Sequence, residues 1–258
     1  MKKAKLSVVV IARNEEKMIG ECLKSVSWAD EVLVVDQEST DETRKVAEKY
    51  GAKVIVHKWS GKPEFSKARE MGRAKSRGEW ILYLDADERV GRALRDEIEA
   101  LVSDQEKIKT HDYYAIPREN VVFGKILKRG GWWPDYVKRL FRKESLDGWR
   151  GELHEEPVIK GEPGHLKNPL RHIKHETLAE MVEKTNNWSE IEGKLMFEAG
   201  HPRMNAARFG SAVAREFWYR MIRKGAFLDG PEGIIMALYQ VYSRFISYAK
   251  LWERQEMK

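Results

Sequence analysis

The sequence predicts an α/β protein: a doubly wound, mostly parallel sheet with a C-terminal helical appendage. Three observations predict it. Apolar strand-like runs alternate with helical patterns four times in under ninety residues, the signature of a layered α/β core. The first run, Leu6 to Ala12, is continuous and rich in β-branched residues, as a strand covered on both faces must be. The last third then changes to long stretches of helical periodicity. This places a first domain over residues 1–175 and a helical region over 176–258.

Taken in order, Leu6 to Ala12 is the first strand, and it ends in Arg13-Asn14-Glu15-Glu16. Met18, Ile19, Cys22, Leu23 and Val26 then recur at helical spacing. Glu31 to Val35 is a second strand running into Asp36, after which Ser39-Thr40-Asp41-Glu42 reads as a capping box opening a helix to Tyr50, with Gly51 as its stop. Lys53 to His57 is a third strand, Phe65 to Arg77 a Lys/Arg-rich helix closed by Gly78, and Trp80 to Leu84 a fourth strand. Right-handed crossovers put the C-terminal ends of such strands on one edge, where open α/β sheets bind ligands. Arg13-Asn14-Glu15, Asp36 and Asp85-Ala86-Asp87 all fall on that edge.

Composition narrows the classes. With 258 residues and plentiful apolar side chains, the chain can bury a sizeable core, which excludes a disordered protein. Lys and Arg number 47 against 41 Asp and Glu, so the surface tolerates anionic partners: nucleic acid, nucleotide phosphates or lipid headgroups. A single cysteine, Cys22, on an apolar helical face, forms no internal disulfide and fits a reducing, cytoplasmic compartment. Residues 1–12 lack the length and cleavage site of a signal peptide, and no run approaches the roughly 20 apolar residues of a spanning helix, so a soluble or peripheral protein is expected.

The stretch Trp80-Ile81-Leu82-Tyr83-Leu84-Asp85-Ala86-Asp87-Glu88 ends an apolar strand in three acids. In extended backbone Asp85 and Asp87 project to one side with Ala86 turned away, a pair of hard oxygen donors suited to Mg²⁺ or Mn²⁺. An acidic turn capping the next helix is the plainer reading of a lone D-x-D. No G-x-G-x-x-G follows the first strand and no P-loop occurs, so phosphate must be held by a metal and side chains.

The order VVVIARNEE, VLVVDQESTDET and FSKAREMGRAKSRGEWILYLDADE closely resembles the GT-A-fold glycosyltransferases of family 2. GGWWPDYVKRLFRK, GELHEEP, HIKH and KGAFLDGPEGI resemble more narrowly the bacterial group that adds glucose to the inner core of lipopolysaccharide. The resemblance implies that Ala12, Arg13, Asn14 and Glu15 border the nucleotide pocket, that Asp36 holds the base or ribose, and that Asp85 and Ala86 lie by the ribose and diphosphate; the plainer role for Asp36 is to cap the turn before Ser39. By the same resemblance Asp87 is the direct metal ligand. Lys67 and Arg69 are candidates for neutralising the donor phosphates, or form a solvated helix face.

Further along, Tyr113 to Arg118 and Val121 to Phe123 read as strands joined by a turn near Glu119-Asn120, and Lys138 to Arg142 as an edge strand. Trp132 and Trp133, in Gly130-Gly131-Trp132-Trp133-Pro134-Asp135, either stack on an acceptor sugar or close the pocket floor. In Gly151 to Pro157, the resemblance points to Glu155 as the base that deprotonates the acceptor hydroxyl, with Glu156 as its rival and His154 to orient the base or contact phosphate. His172 and His175 are three apart and could share a helix face, a weak metal signal by itself. The resemblance implies a histidine that completes the metal shell, for which His175 is the candidate, with a structural or acceptor-contact role as the alternative.

Leu178 to Ala199, Asn205 to Lys224 and Gly233 to Arg254 are expected helices. The apolar stripe of the last one, and Arg215, Arg220, Arg223 and Lys224 beside Trp218 and Tyr219, suit an anionic membrane surface, packing on the catalytic domain, or a dimer. The resulting expectation is a metal-dependent inverting transferase using a UDP-sugar, UDP-glucose by resemblance. Its acceptor is a lipopolysaccharide-core or other lipid-linked glycan, met on the inner face of the cytoplasmic membrane. The alternatives are transfer to a polyprenyl phosphate and, in another class, a basic nucleic-acid-binding module, against which stands the absence of an RNA-binding motif.

Overall fold

The computed structural model describes residues 5–61, 64–104, 110–151, 155–175 and 177–257. They divide into two compact units, Met1–Arg118 with Tyr136–His172, and Glu119–Asp135 with Ile173–Lys258.

In the first unit, strands β1 (Leu6–Ala12), β2 (Glu31–Asp36), β3 (Lys53–Val56) and β4 (Trp80–Asp85) pair in the order β3-β2-β1-β4, all parallel. Helices α1 (Ile19–Ser25), α2 (Thr43–Lys49) and α3 (Phe65–Lys75) are the crossovers. β1 is buried along its whole length because both its faces are covered. Val8 and Val10 join a cluster with Ile19, Cys22 and Leu23 of α1 and Ala47 of α2, whereas Val9 and Ile11 join one with Ala68 of α3. Alternation with period two thus assigns successive residues of one strand to opposite helical layers. Gly72 lets α3 lie on β1: a Cβ there would meet Val9 Cγ1 at 2.3 Å.

Beyond β4 the sheet continues with β5 (Glu88–Val90), β6 (Tyr113–Val122), β8 (Asp135–Arg142) and β12 (Leu170–His175), in the order β4-β8-β6-β12-β5. β8 is antiparallel to β4, and β12 to β5. The short β7 (Lys125–Ile126) and β11 (Gly164–His165) pair with β6, and β9 (Trp149–Arg150) with β10 (Glu156–Pro157). Helix α4 (Arg92–Ser103) adds Leu94 and Ile98 to the α1 side. The expected α/β class with C-terminal helices is the one observed.

Four local expectations are corrected. The helix after Asp36 starts at Thr43 without a capping box, because Ser39 and Asp41 are engaged by Asn14 and Glu16. Glu119-Asn120 is no turn but the middle of β6, where Asn120 is buried and donates to Asp135 Oδ2 at 3.0 Å. Lys138 to Arg142 belongs to an interior strand, between β4 and β6, where the charge of Arg139 is met by the buried Glu88 and by Asp85. His172 and His175 lie on strand β12, so a shared helix face does not arise.

In the second unit, α5 (Leu178–Glu198) opens with a capping box of Thr177 and Glu180. α6 (Ala206–Phe217) runs into a π-helical turn, Trp218–Arg223, and a 3₁₀ turn, Ala226–Asp229, leads into α7 (Gly230–Glu256). Met181 of α5 and Met236 of α7 pack with Val122 and Leu127. No helix among the described residues is long and apolar enough to cross a membrane.

Candidate active site

The C-terminal edge of the parallel strands in the first unit gathers two adjoining sets of polar side chains. The first follows β1, β2 and β3. After Ala12, itself buried and a hydrogen-bond acceptor for the Gln37 N–H at 2.9 Å, the chain turns through Asn14 at φ 56°. The Asn14 N–H donates to Ser39 Oγ at 2.9 Å, the Glu15 N–H to Thr43 Oγ1 at 2.8 Å, and the Thr40 N–H to Asn14 Oδ1 at 2.9 Å. Reciprocal bonds of this kind fix the loop after β1 against the loop after β2.

Asp36 is fully buried at the tip of β2. Its Oδ2 accepts from the Ser39 N–H at 3.1 Å and lies 3.6 Å from Arg44 Nε, while Oδ1 has no hydrogen-bond partner among the described residues. A buried carboxylate oxygen left in that state is costly unless a donor arrives, and a nucleoside's N–H or hydroxyl is such a donor. The Arg13 guanidinium stacks over the Trp59 ring at 3.6 Å, and His57, mostly buried, donates its N–H to the Asp36 carbonyl at 2.8 Å. His57 and Trp59 were missed from the sequence. The signal available was their position just after β3, on the same edge.

The second set is organised by arginines. Arg69, on α3, is buried and its Nη2 reaches Asp85 Oδ1 at 3.3 Å and Glu155 Oε1 at 2.9 Å, with Nε also on Glu155 at 3.0 Å. Its guanidinium faces the Trp149 and Tyr83 rings, at 5.0 and 5.5 Å, which hold the fork in place. Arg139, on β8, hydrogen-bonds Asp85 Oδ2, and donates to the fully buried Glu88 at 2.8 Å. Glu88 in turn accepts from the Asp85 N–H at 3.0 Å and lies 3.5 Å from Arg118. Burial alone would raise the Asp85 carboxyl, but the charges of Arg139 and Arg69 outweigh it and hold Asp85 well below the usual carboxylate range. Arg139, Arg118 and Glu88 could not be singled out from sequence, because their roles arise only when β5, β6 and β8 come together.

The other residues named from the sequence are distributed as follows. Ala86 is buried in the core and its carbonyl accepts from Arg89 at 2.7 Å. Asp87 lies 3.3 Å from Nε2 of His172, which is buried. Lys67 is exposed and paired with Glu64 at 2.5 Å. Glu156 is paired with Lys138 at 2.9 Å. His154 lies outside the described residues, as does the side chain of His175. Trp132 belongs to the second unit, where its ring packs with the Met181 and Met236 cluster between Lys174 and Arg220, at 5.3 and 5.1 Å. Trp133 is partly exposed there.

Comparison with known proteins gives the chain its class. Residues 7–154 match the model of the family described as glycosyl transferase family 2, and the chain belongs to that family. It is a glycosyltransferase with an α/β fold and C-terminal helices. Among individual relatives, it is 24% identical to the lipopolysaccharide core biosynthesis glycosyltransferase LpsC of Rhizobium meliloti, over 99% of this chain and 95% of that one. An uncharacterized glycosyltransferase of Rickettsia bellii is 28% identical over 96% of this chain and 86% of its own length. Among solved structures, S. aureus TarS 1-349 is similar over 98% of this chain and 91% of that one, with 18% identity and a TM-score of 0.46. Glucosyl-3-phosphoglycerate synthase of Mycobacterium tuberculosis, solved with Mn²⁺, UDP and glucosyl-3-phosphoglycerate, is similar over 55% of this chain and 58% of that one, with 20% identity and a TM-score of 0.39.

Proposed function

We propose that the chain transfers glucose from UDP-glucose to a hydroxyl of a lipopolysaccharide-core or related lipid-linked glycan, with inversion at the anomeric carbon. The observation that carries this reading is the Arg69 fork. It joins Glu155, the candidate base, to Asp85, the candidate diphosphate-side carboxylate, so that both functions lie within the span of one buried side chain. A base and a leaving-group site must sit on either side of an anomeric carbon, and a rigid guanidinium between them maintains such a separation.

Asp36, with one oxygen unpartnered among the described residues, accepts from the nucleoside, beside the Asn14 and Ser39 loops that are bonded to each other. Asp85 is committed to two arginines, which leaves Asp87 as the carboxylate for a divalent ion, Mn²⁺ or Mg²⁺. His172, at 3.3 Å from Asp87, is favoured over His175 as its partner. One carboxylate oxygen and one imidazole nitrogen suit such an ion when a diphosphate fills other positions. When bound, the ion neutralises charge on the departing diphosphate. Glu155 takes the acceptor's proton, aimed by Arg69.

The test is a thermal-shift screen of nucleotide sugars with and without Mn²⁺, followed by transfer assays. UDP-glucose with Mn²⁺ should stabilise the wild type, Asp87→Ala should lose the metal-dependent part, and Glu155→Gln should keep donor binding while transfer falls by about a hundredfold or more. A Glu155→Gln enzyme with full turnover and a sugar-phosphate product would instead support a polyprenyl phosphate acceptor, which is already anionic and needs no strong base.

A further inference from the structure

Resting on the reading that the acceptor is lipid-linked, we propose that residues 215–228 form a wedge that inserts into the interfacial layer of an anionic lipid bilayer. The stretch combines what a soluble surface avoids. Phe217, Trp218, Ile222, Phe227 and Leu228 expose 40, 53, 55, 50 and 63% of their surface. Phe217 ends α6, and the other four fall on the two turns that follow it. The π-helical turn is closed by the Lys224 N–H to the Tyr219 carbonyl at 2.9 Å, and it sets Trp218 and Ile222, four residues apart, on the same side. Gly225, at φ 63°, then reverses the chain, and the Leu228 side chain lies over it, 3.3 Å from where a Cβ would stand. Leu228 therefore abuts the turn carrying Ile222, whose carbonyl accepts the Gly225 N–H at 3.3 Å. Behind the wedge Ala226 is buried, so the apolar tips are presented from a fixed base.

The charges say what this patch meets. Arg215, Arg223 and Lys224 are exposed. The two acids of the neighbourhood are occupied: Glu216 accepts from Arg220 Nε at 2.7 Å, and Asp229 accepts the backbone N–H groups of Lys128 and Arg129 at 2.8 and 2.7 Å. Arg220 itself is spent internally, on Glu216, the Gly130 carbonyl at 3.0 Å and the Trp132 face. What remains outward is an indole, two phenyl rings and aliphatic tips, with Arg215, Arg223 and Lys224 exposed in the same stretch, the last two 6.0 and 5.7 Å from the Tyr219 ring. An apolar tip with tryptophan at headgroup depth and cations against phosphates is the arrangement a bilayer interface selects. A second copy of this chain would bring the same cations to the contact, and like charges would face one another.

The full chain should be tested by sedimentation with vesicles of phosphatidylglycerol and phosphatidylethanolamine, against pure phosphatidylcholine. Wild type should bind the anionic vesicles at least tenfold more tightly, and more weakly as salt rises. Trp218→Ser with Ile222→Ser, and separately Arg223→Gln with Lys224→Gln, should each lower that binding at least tenfold while leaving transfer to a soluble, lipid-free acceptor within twofold of wild type. Binding that ignores lipid charge, or is unchanged in both variants, overturns the proposal. So does a wild-type dimer in sedimentation that the Trp218/Ile222 variant splits, which would assign the patch to self-association. Vesicle binding without any glycosyl transfer would count against the proposed function and leave the wedge standing; transfer without vesicle binding would do the reverse.

Discussion

Replacing Arg69 by methionine removes a cation shared by Asp85 and Glu155 while filling most of its volume. Breaking a buried ion pair from one side costs about 3–5 kcal/mol, because the remaining charge stays desolvated. Two features of the structure set the lower end of that range: the Asp85 side chain is 39% exposed and keeps Arg139, so water and a second guanidinium carry part of its charge. Glu155, with its side chain 13% exposed, has no such relief. The expected loss is about 3 kcal/mol at pH 7, or about 6–12 °C in Tm for a chain of this size. The pH dependence follows from Asp85: partial desolvation would raise its carboxyl, but Arg139 and Arg69 hold it low. A depressed carboxyl contributes stability that is fully present above its unfolded value, near pH 4, and is lost as pH falls through the folded value. Urea unfolding of wild type and variant at pH 7 and pH 3 should therefore show a gap that narrows in acid. Arg69→Lys should recover less than half of it, since an ammonium does not span both carboxylates as the fork does. A Tm drop under 2 °C at pH 7, or an equal gap at both pH values, would refute the reasoning.

Two further outcomes are expected. On the proposed function, Asp36→Asn should weaken UDP binding about tenfold in calorimetry: Asp36 Oδ1, without a hydrogen-bond partner among the described residues, would be the acceptor for the nucleoside, and a hydrogen bond to a charged group is worth about 1.5–3 kcal/mol. Glu31→Gln should cost about 1–3 kcal/mol in urea unfolding at pH 7. Glu31, at the start of β2, accepts from Ser7 Oγ and from the Arg77 N–H and Nε. Burial would raise its carboxyl, but these bonds lower it from 4.5, so the cost should shrink as pH drops below about 4.5.

The parallel half of the fold was legible because each signal was local. β1, β2 and β4 are apolar runs, and each ends in polar residues of the candidate site. The three C-terminal helices were legible for the same reason, their periodicity running over many turns. The misread elements were those whose partners are distant. Asn120 reads as a turn residue until Asp135 is beside it, and Lys138 to Arg142 reads as a solvent edge until Glu88 and Asp85 neutralise Arg139. Arg69 could be either a surface charge or a site residue on the helix pattern alone. What decides is that α3 packs so closely on β1, at Gly72, that the side chain is enclosed with Asp85 and Glu155.

By itself the sequence determined the alternation of strands and helices, the common edge on which Arg13, Asp36 and Asp85 to Asp87 collect, and the change to helices near residue 175. All of these follow from periodicity and from the handedness of crossovers. Only the tertiary structure decided which charges meet. It gave Asp85 to two arginines, Asp87 to His172, and Glu155 to Arg69, and it left the cations around Trp218 facing outward. Charge pairing is a matter of a few ångströms between residues tens of positions apart, and no pattern along the chain encodes that distance.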